Sequence, residues 1–273
     1  MEYTFSVLMS IYYKEKPEYV REAFESLVSQ TLLANEWIIV EDGPLTEELY
    51  FVLDEYEKKY PNLIKRVVLP ENLGLGLALR EGVLHCSNEL IARMDTDDIC
   101  RSDRFEKQIN EFQKNPNLDI CGSHILEFEN TIDNIVAKRV VPLTDSDIKE
   151  YQKRRDSFNH MAVMYKKSSV LRAGNYQSCL LMEDSYLWVN MIINGISAVN
   201  IDDYLVYARV GKEMFNRRGG FSYFKQYKKG RKQIYKTGYI SWWDYFYTIL
   251  IQFVLSTMPN KLRALVFKKF LHN

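Results

Sequence analysis

A chain of 273 residues, 47% hydrophobic and 26% charged, has the composition of a globular protein, which excludes wholesale disorder. Its 36 basic and 36 acidic side chains cancel overall, but residues 1–100 hold 19 acids against 9 bases, whereas residues 208–236 hold 10 bases against Glu213 alone. The acidic first half argues against a nucleic-acid partner, and the basic segment predicts contact with an anion, either phosphate or an anionic membrane surface; a solvated basic helix is the plainer alternative.

The first half alternates two periodicities. Thr4–Ser10 is apolar and β-rich, and after Pro17 the residues Val20, Ala23, Phe24, Leu27 and Val28 form a helical stripe. Glu36–Val40 reads as a strand that stops at Glu41-Asp42-Gly43-Pro44. A helix over Leu45–Tyr60, a strand over Ile64–Leu69, a helix over Gly74–His85 and a strand over Glu89–Met94 follow. Then come a helix (Ser102–Asn115) and a strand (Leu118–Leu126). Beyond residue 130 the rhythm loosens: Thr144–Arg155 reads as a helix, His160–Tyr165 as a strand, Glu183–Asn194 as an amphipathic helix and the tail from Gly220 as helical. Four scattered cysteines (Cys86, Cys100, Cys121, Cys179) and no signal peptide ahead of Phe5–Met9 predict reduced thiols in a cytoplasmic protein.

Alternating strands and helices imply βαβ units and a mainly parallel α/β sheet, whose ligands gather beyond the carboxyl ends of the strands. Ser10, Ile11 and Tyr12, then Glu41-Asp42, and then Asp95–Asp98 all stand at such ends and should meet in one crevice. Asp95-Thr96-Asp97-Asp98 places three acids in four residues, a repulsive arrangement that a cation relieves. Alternation in an extended turn sets Asp95 and Asp97 on one side, and hard oxygen ligands suit Mg²⁺ or Mn²⁺ with a substrate phosphate. A solvated acidic loop or a helix cap is the rival reading. Asp42, in Glu-Asp-Gly-Pro, is on its own residues equally a turn former.

Several segments in order carry a resemblance: Phe5–Tyr13, Ser26-Leu-Val-Ser-Gln-Thr, Ile39-Val-Glu-Asp-Gly, Asn72-Leu-Gly-Leu-Gly, the aspartate cluster, and Met182-Glu183-Asp184. Across roughly residues 4–215 the sequence resembles the family 2 inverting glycosyltransferases of GT-A fold, which build bacterial polysaccharides and other glycans. That resemblance implies that Asp42 bonds the nucleotide base, usually uracil, and that Ser10, Ile11 and Tyr12 frame base and ribose. It makes Asp97 the main metal ligand, Asp95 a ribose or metal contact and Asp98 a supporting residue. Asn72 and Gly74 lie beside the donor, and Arg80 or Arg93 reaches its diphosphate.

Inverting transfer needs a carboxylate to take the acceptor's proton. The resemblance assigns that base to Asp184, ahead of Glu183; an acidic pair favoured by the helix dipole is the bland account of both. Trp188, one turn on, is a candidate to pack against a sugar ring or to be core. His160 matches the family pattern only in part, because no proline follows it, and it reads as a structural or supporting residue. Tyr207-Ala208-Arg209-Val210-Gly211, followed by Met214 and Arg217-Arg218-Gly219-Gly220, resembles a flexible loop closing on the donor, with Arg217 and Arg218 suited to its diphosphate and a basic loop as the alternative.

The division expected is a GT-A catalytic domain over 1–219 and a basic, aromatic, helical extension over 220–273. In that extension the apolar run Tyr245–Met258 is too short to span a bilayer. With Trp242-Trp243 and basic flanks it suits a membrane interface at the inner face of the cell membrane, or a homo-oligomer contact. The activity implied is transfer of a hexose (Glc, Gal or an N-acetylhexosamine) from a UDP-sugar to a glycan acceptor on a lipid carrier or glycoprotein. A nucleotidyltransferase would need a Gly-rich first loop, and Ser10–Glu15 has no glycine; a catalytically weak scaffold conflicts with the intact acids.

Overall fold

The computed structural model describes residues 3–179, 181–211 and 220–259. The chain begins with β1 (Phe5–Ile11), α1 (Pro17–Val28), β2 (Glu36–Glu41), α2 (Glu47–Lys59), β3 (Ile64–Val68), α3 (Leu75–His85) and β4 (Leu90–Arg93). Each lies within two residues of its sequence expectation at either end. A two-residue strand β5 (Ile99–Cys100), α4 (Arg104–Lys114), β6 (Ile120–Phe128), β7 (Ile135–Arg139) and α5 (Asp145–Gln152) come next. Then follow β8 (Met164–Lys166), α6 (Lys167–Arg172), α7 (Glu183–Ile193), β9 (Ala198–Arg209) and two C-terminal helices, α8 (Gly220–Lys236) and α9 (Trp242–Thr257).

The sheet order is β3-β2-β1-β4-β8-β6-β9-β5, with β7 also on β6. Strands β3, β2, β1 and β4 are parallel, as are β6 and β9; the remaining pairings are antiparallel, so the sheet is mixed with a parallel half. Strand β1 has only Ser10 less than fully buried, as expected of a parallel strand covered on both faces. Its odd residues Phe5, Val7, Met9 and Ile11 join α1, α2 and α4 in one core layer. Leu8 faces the other layer with Leu79 and Val83 of α3 and Trp188 of α7.

Two expectations are corrected. His160–Tyr165 is not one strand: His160–Ala162 forms a 3-10 turn, closed by the Ala162 N–H donating to the Asn159 carbonyl at 2.8 Å, and β8 begins only at Met164. Trp188 offers no face to a sugar. It is fully buried, with Phe158, His160 and Tyr165 rings 5.5–6.3 Å away, and its role is packing. All four cysteines are free and buried. Among the described residues no helix is long and apolar enough to cross a membrane.

Helices α8 and α9 are not loose appendages. Ile234 and Ile240 pack with Cys179, Met182 and Val189, so the extension leans on the start of α7. Buried Arg231 of α8 donates to Thr248 Oγ1 of α9 and to the Lys153 carbonyl after α5. A capping box of Ser241 and Asp244 starts α9, and Asp244 also pairs with Arg154 at 2.6 Å.

Gly82 marks the tightest approach of α3 to the sheet: a Cβ there would stand 2.3 Å from Leu8 Cδ1 and 2.8 Å from Val40 Cγ2. Gly82→Ala is therefore expected to overpack this layer and cost about 1–3 kcal/mol, read as a lowered urea midpoint at unchanged m-value.

Candidate functional site

Three strand ends build the site. After β1, the Ile11 carbonyl accepts from the Asp42 N–H at 2.8 Å, which fixes the end of β2 beside it. Ser10 is half-buried, Ile11 buried and Tyr12 half-buried, with Tyr12 and Tyr13 rings 5.8 Å apart, edge to face. Asp42 is almost wholly buried. Its Oδ1 accepts from Leu73 N at 2.7 Å and its Oδ2 from Gly74 N at 3.0 Å, while Asn72 donates to its carbonyl. Gly74, with φ of +86°, turns the chain into α3, so Asp42 ties the crevice floor to the start of that helix. A carboxylate has about four lone-pair sites, and two remain for a further donor.

Beyond β4 the chain makes the aspartate turn and is caught again by β5. The Thr96 hydroxyl leans toward the Ser10 carbonyl at 3.4 Å. Asp95, Asp97 and Asp98 offer carboxylate oxygens that all lie within 4.8 Å of one another. Burial, followed by the charge of Asp95, pushes Asp97 up to about 6; burial, followed by Asp97 and Asp95, holds Asp98 well above the usual carboxylate range. Buried Arg93 pairs with Asp95 at 2.5 Å, leaving its Nε and one terminal nitrogen without a hydrogen-bond partner among the described residues. Asp98 Oδ2 is likewise buried and unpartnered among them. Three hard oxygen donors with excess negative charge and one orphaned lone pair fit a divalent cation.

Arg209 of β9 clamps this turn from the far side. Its backbone N–H donates to Asp98 Oδ1 at 2.8 Å and its Nε to the Asp97 carbonyl at 3.0 Å, while its guanidinium pairs with Glu22 and lies over the Tyr19 ring. The sequence put it in the stretch expected to close over the donor, but Tyr207, Ala208 and Arg209 form the end of β9 instead.

On the other side of the crevice, α7 begins at Glu183 and Asp184. Glu183 packs against Gly76 of α3, where a Cβ would stand 2.5 Å from Glu183 Cγ. Asp184 instead lines a cavity of about 400 Å³ that Asp95, Arg93 and His160 also line. Desolvation, then the nearby charge of Asp156, raises Asp184 to about 7, and burial raises Glu183 as well. Asp156 is a site residue that sequence reasoning missed; lying between α5 and the 3-10 turn, it carries no motif. His160 Nε2 and the Tyr176 hydroxyl are 2.8 Å apart, and burial followed by the charge of Arg93 keeps the imidazole well below its ordinary value, hence neutral. Arg80 is exposed on α3 and reaches the Tyr176 carbonyl at 3.4 Å rather than this cavity. Arg217 and Arg218 lie outside the described residues.

The fold is that of the GT-A enzymes. A mannosyltransferase from Pyrobaculum calidifontis, solved with GDP-Man and Mn²⁺, superposes with a TM-score of 0.63 over 95% of this chain and 71% of its own, at 14% identity, a likeness of fold alone. The profile of glycosyl transferase family 2 matches residues 6–177, and the chain belongs to that family. An uncharacterised glycosyltransferase of Haemophilus influenzae is 43% identical over 98% of both chains. The UDP-Gal:α-D-GlcNAc-diphosphoundecaprenol β-1,3-galactosyltransferase of Escherichia coli is 39% identical over 97% of this chain and 95% of its own.

Arg209→Gln removes the anchor on the Asp97 carbonyl and the ion pair with Glu22. It is expected to cost about 1–3 kcal/mol, measured as a loss of stability in urea titration.

Proposed function

We propose that this glycosyltransferase moves a hexose from a UDP-sugar, with inversion, onto a sugar carried on a lipid diphosphate, as a step in building a surface glycan. The observation that carries the reading is a single cavity lined by both Asp95 and Asp184, the latter raised to about 7. The full-length similarity to a UDP-galactose-dependent enzyme with a diphosphoundecaprenol acceptor supports the donor and acceptor classes.

Asp42 holds the nucleotide base with its spare lone pairs, and Ser10, Ile11 and Tyr12 frame base and ribose. Asp97 and Asp95 are the residues that would hold Mn²⁺ or Mg²⁺, with Asp98 in support; such a cation neutralises charge on the departing nucleoside diphosphate. Arg93 orients Asp95 through their ion pair. Asp184 accepts the proton of the acceptor hydroxyl as that oxygen attacks the anomeric carbon. The bond from that carbon to the diphosphate oxygen breaks, and its electron pair leaves with UDP. A carboxylate poised near 7 is half in its basic form at neutral pH yet basic enough to remove a proton as the bond forms. Glu183, wedged against Gly76, positions the start of α7 rather than touching substrate.

Incubation with a panel of UDP-sugars and lipid-diphosphate-linked sugars is expected to release UDP for one donor, and chelation of divalent cations to abolish it. No release with any pair, together with no calorimetric binding of UDP in Mn²⁺, overturns the reading.

Asp184→Asn is expected to keep UDP binding and lose about 10²–10⁴-fold in transfer. In the wild type, activity rises with pH through about 7, because only the ionised form accepts a proton. The sign for stability is the reverse. With its folded value raised from 3.8 to about 7, this group's full stabilising share is present below pH 3.8 and is lost as pH rises to about 7. The variant's unfolding midpoint should therefore match the wild type near pH 4 and exceed it by at least ~2 °C at pH 8.

A further inference from the structure

A second cavity, of about 630 Å³, adjoins the first and lies between the end of α5 and the C-terminal helices. The two share Arg139, Arg154, Arg155, Asp156, Tyr223 and Tyr227 as lining. What they do not share gives them a direction. The inner one alone reaches Asp95 and Asp184; the outer one alone reaches Tyr247, Ile251 and Leu255 of α9. The order from inside outward is thus catalytic carboxylates, an arginine wall, then an apolar groove.

The wall offers guanidinium groups to both cavities. Arg139, Arg154, Arg155 and Asp156 line both cavities, Glu150 lines the outer one as well, and Asp156 also acts on Asp184 and on Arg231. Arg154 is held by Asp244 at 2.6 Å and stacks over the Tyr247 ring. Arg139 and Arg155 have no carboxylate within ion-pair distance among the described residues. Arg155 is exposed and lies over the Tyr151 ring, Arg139 is half-buried with its charge reaching Asp184, and guanidinium forks of this kind match phosphate oxygens in two-point contacts. The groove beyond continues onto a face of α9 where Trp242, Trp243, Phe246, Leu250 and Val254 are all about half exposed or more.

We propose that Arg139 and Arg155 form the subsite for the diphosphate of a polyprenyl-diphosphate-linked acceptor, with its sugar at Asp184 and its prenyl chain along Tyr247, Ile251 and Leu255. This rests on the lipid-linked acceptor proposed above and deepens it: the sequence of chemistries along the two cavities is that of a sugar, a diphosphate and a lipid. The donor's diphosphate belongs elsewhere, at the aspartate turn, which the outer cavity does not reach. Arg154 is a positioning residue, since its ion pair and ring contact set where α9 stands against the wall.

The test uses the full chain and geranyl diphosphate, without divalent cation, followed by tryptophan fluorescence. The wild type is expected to bind it saturably and more tightly than inorganic pyrophosphate. The pair Arg139→Gln/Arg155→Gln, which breaks no ion pair among the described residues and loses the Arg155–Tyr151 ring contact, should bind it at least tenfold more weakly. The same variant should keep its affinity for UDP in Mn²⁺ within twofold and should lose preference for a diphosphate-linked acceptor sugar over the same sugar as a plain alkyl glycoside. Equal binding of geranyl diphosphate by variant and wild type overturns the subsite. So does an equal loss of UDP affinity, which would give the arginines to the donor, and so does pyrophosphate binding as tightly as the prenyl compound. The two claims separate cleanly. A wild type that transfers to lipid-linked sugars while the variant binds geranyl diphosphate normally sinks only the subsite. Geranyl diphosphate binding lost in the variant, with no transfer to any lipid-linked sugar, sinks only the acceptor reading.

Discussion

The constraint on which the rest of this structure depends is the forced proximity of three carboxylates at the end of β4. Their oxygens lie within 4.8 Å of one another, two of the acids are driven toward their protonated forms, and one oxygen has no protein partner among the described residues. Such a turn does not hold itself. Arg93 is buried behind it, the backbone and side chain of Arg209 fasten it from β9, and the tiny β5 exists to bring the chain back under that strand. The mixed half of the sheet is therefore an accessory of the acidic turn. Without β9 beside β5, Arg93 alone would be left to balance the repulsion until a ligand arrived.

The parallel half of the fold was legible because physics writes it plainly. Strands covered on both faces need unbroken apolar runs, and Phe5–Ile11 and Glu36–Glu41 supply them between helices with clear stripes. Strand β6 was also read, as Leu118–Leu126, but β7 and β9 were not legible, for equally physical reasons. Strand β9 is interrupted by Asn200, Asp202 and Asp203, which bond loops and ion pairs rather than core, and β7 is an exposed edge with no buried residue. His160–Ala162 carries enough apolar character to pass for a strand, yet the Asn159 side chain binds the Ser123 carbonyl and bends the chain into a turn.

The candidate site divides the same way. Dense local clusters announce themselves: three aspartates in four residues, or two acids opening a helix. Groups that act from a distance do not. Arg209, Asp156 and Arg139 come from three separate segments, and only the folded chain brings the first to the aspartate turn and the other two to the cavity that Asp184 lines. Trp188 shows the opposite failure, since a large ring one turn from a catalytic acid reads alike whether it lines a sugar site or fills a core. Its zero exposure decides the matter.

The contact between Gly76 and Glu183 has a wider consequence. A missing methyl on α3 lets the first turn of α7 seat directly against the helix whose start is tied down by Asp42. The spacing between the strand-end floor and the opposing carboxylate is thus gauged by one absent carbon atom, like a shim left out of a joint. Because Ile234 of α8 and Ile240 after it pack on the same start of α7, any rebuilding of the outer half for a different guest has to keep that seat in place for the reach of the reaction to stay the same.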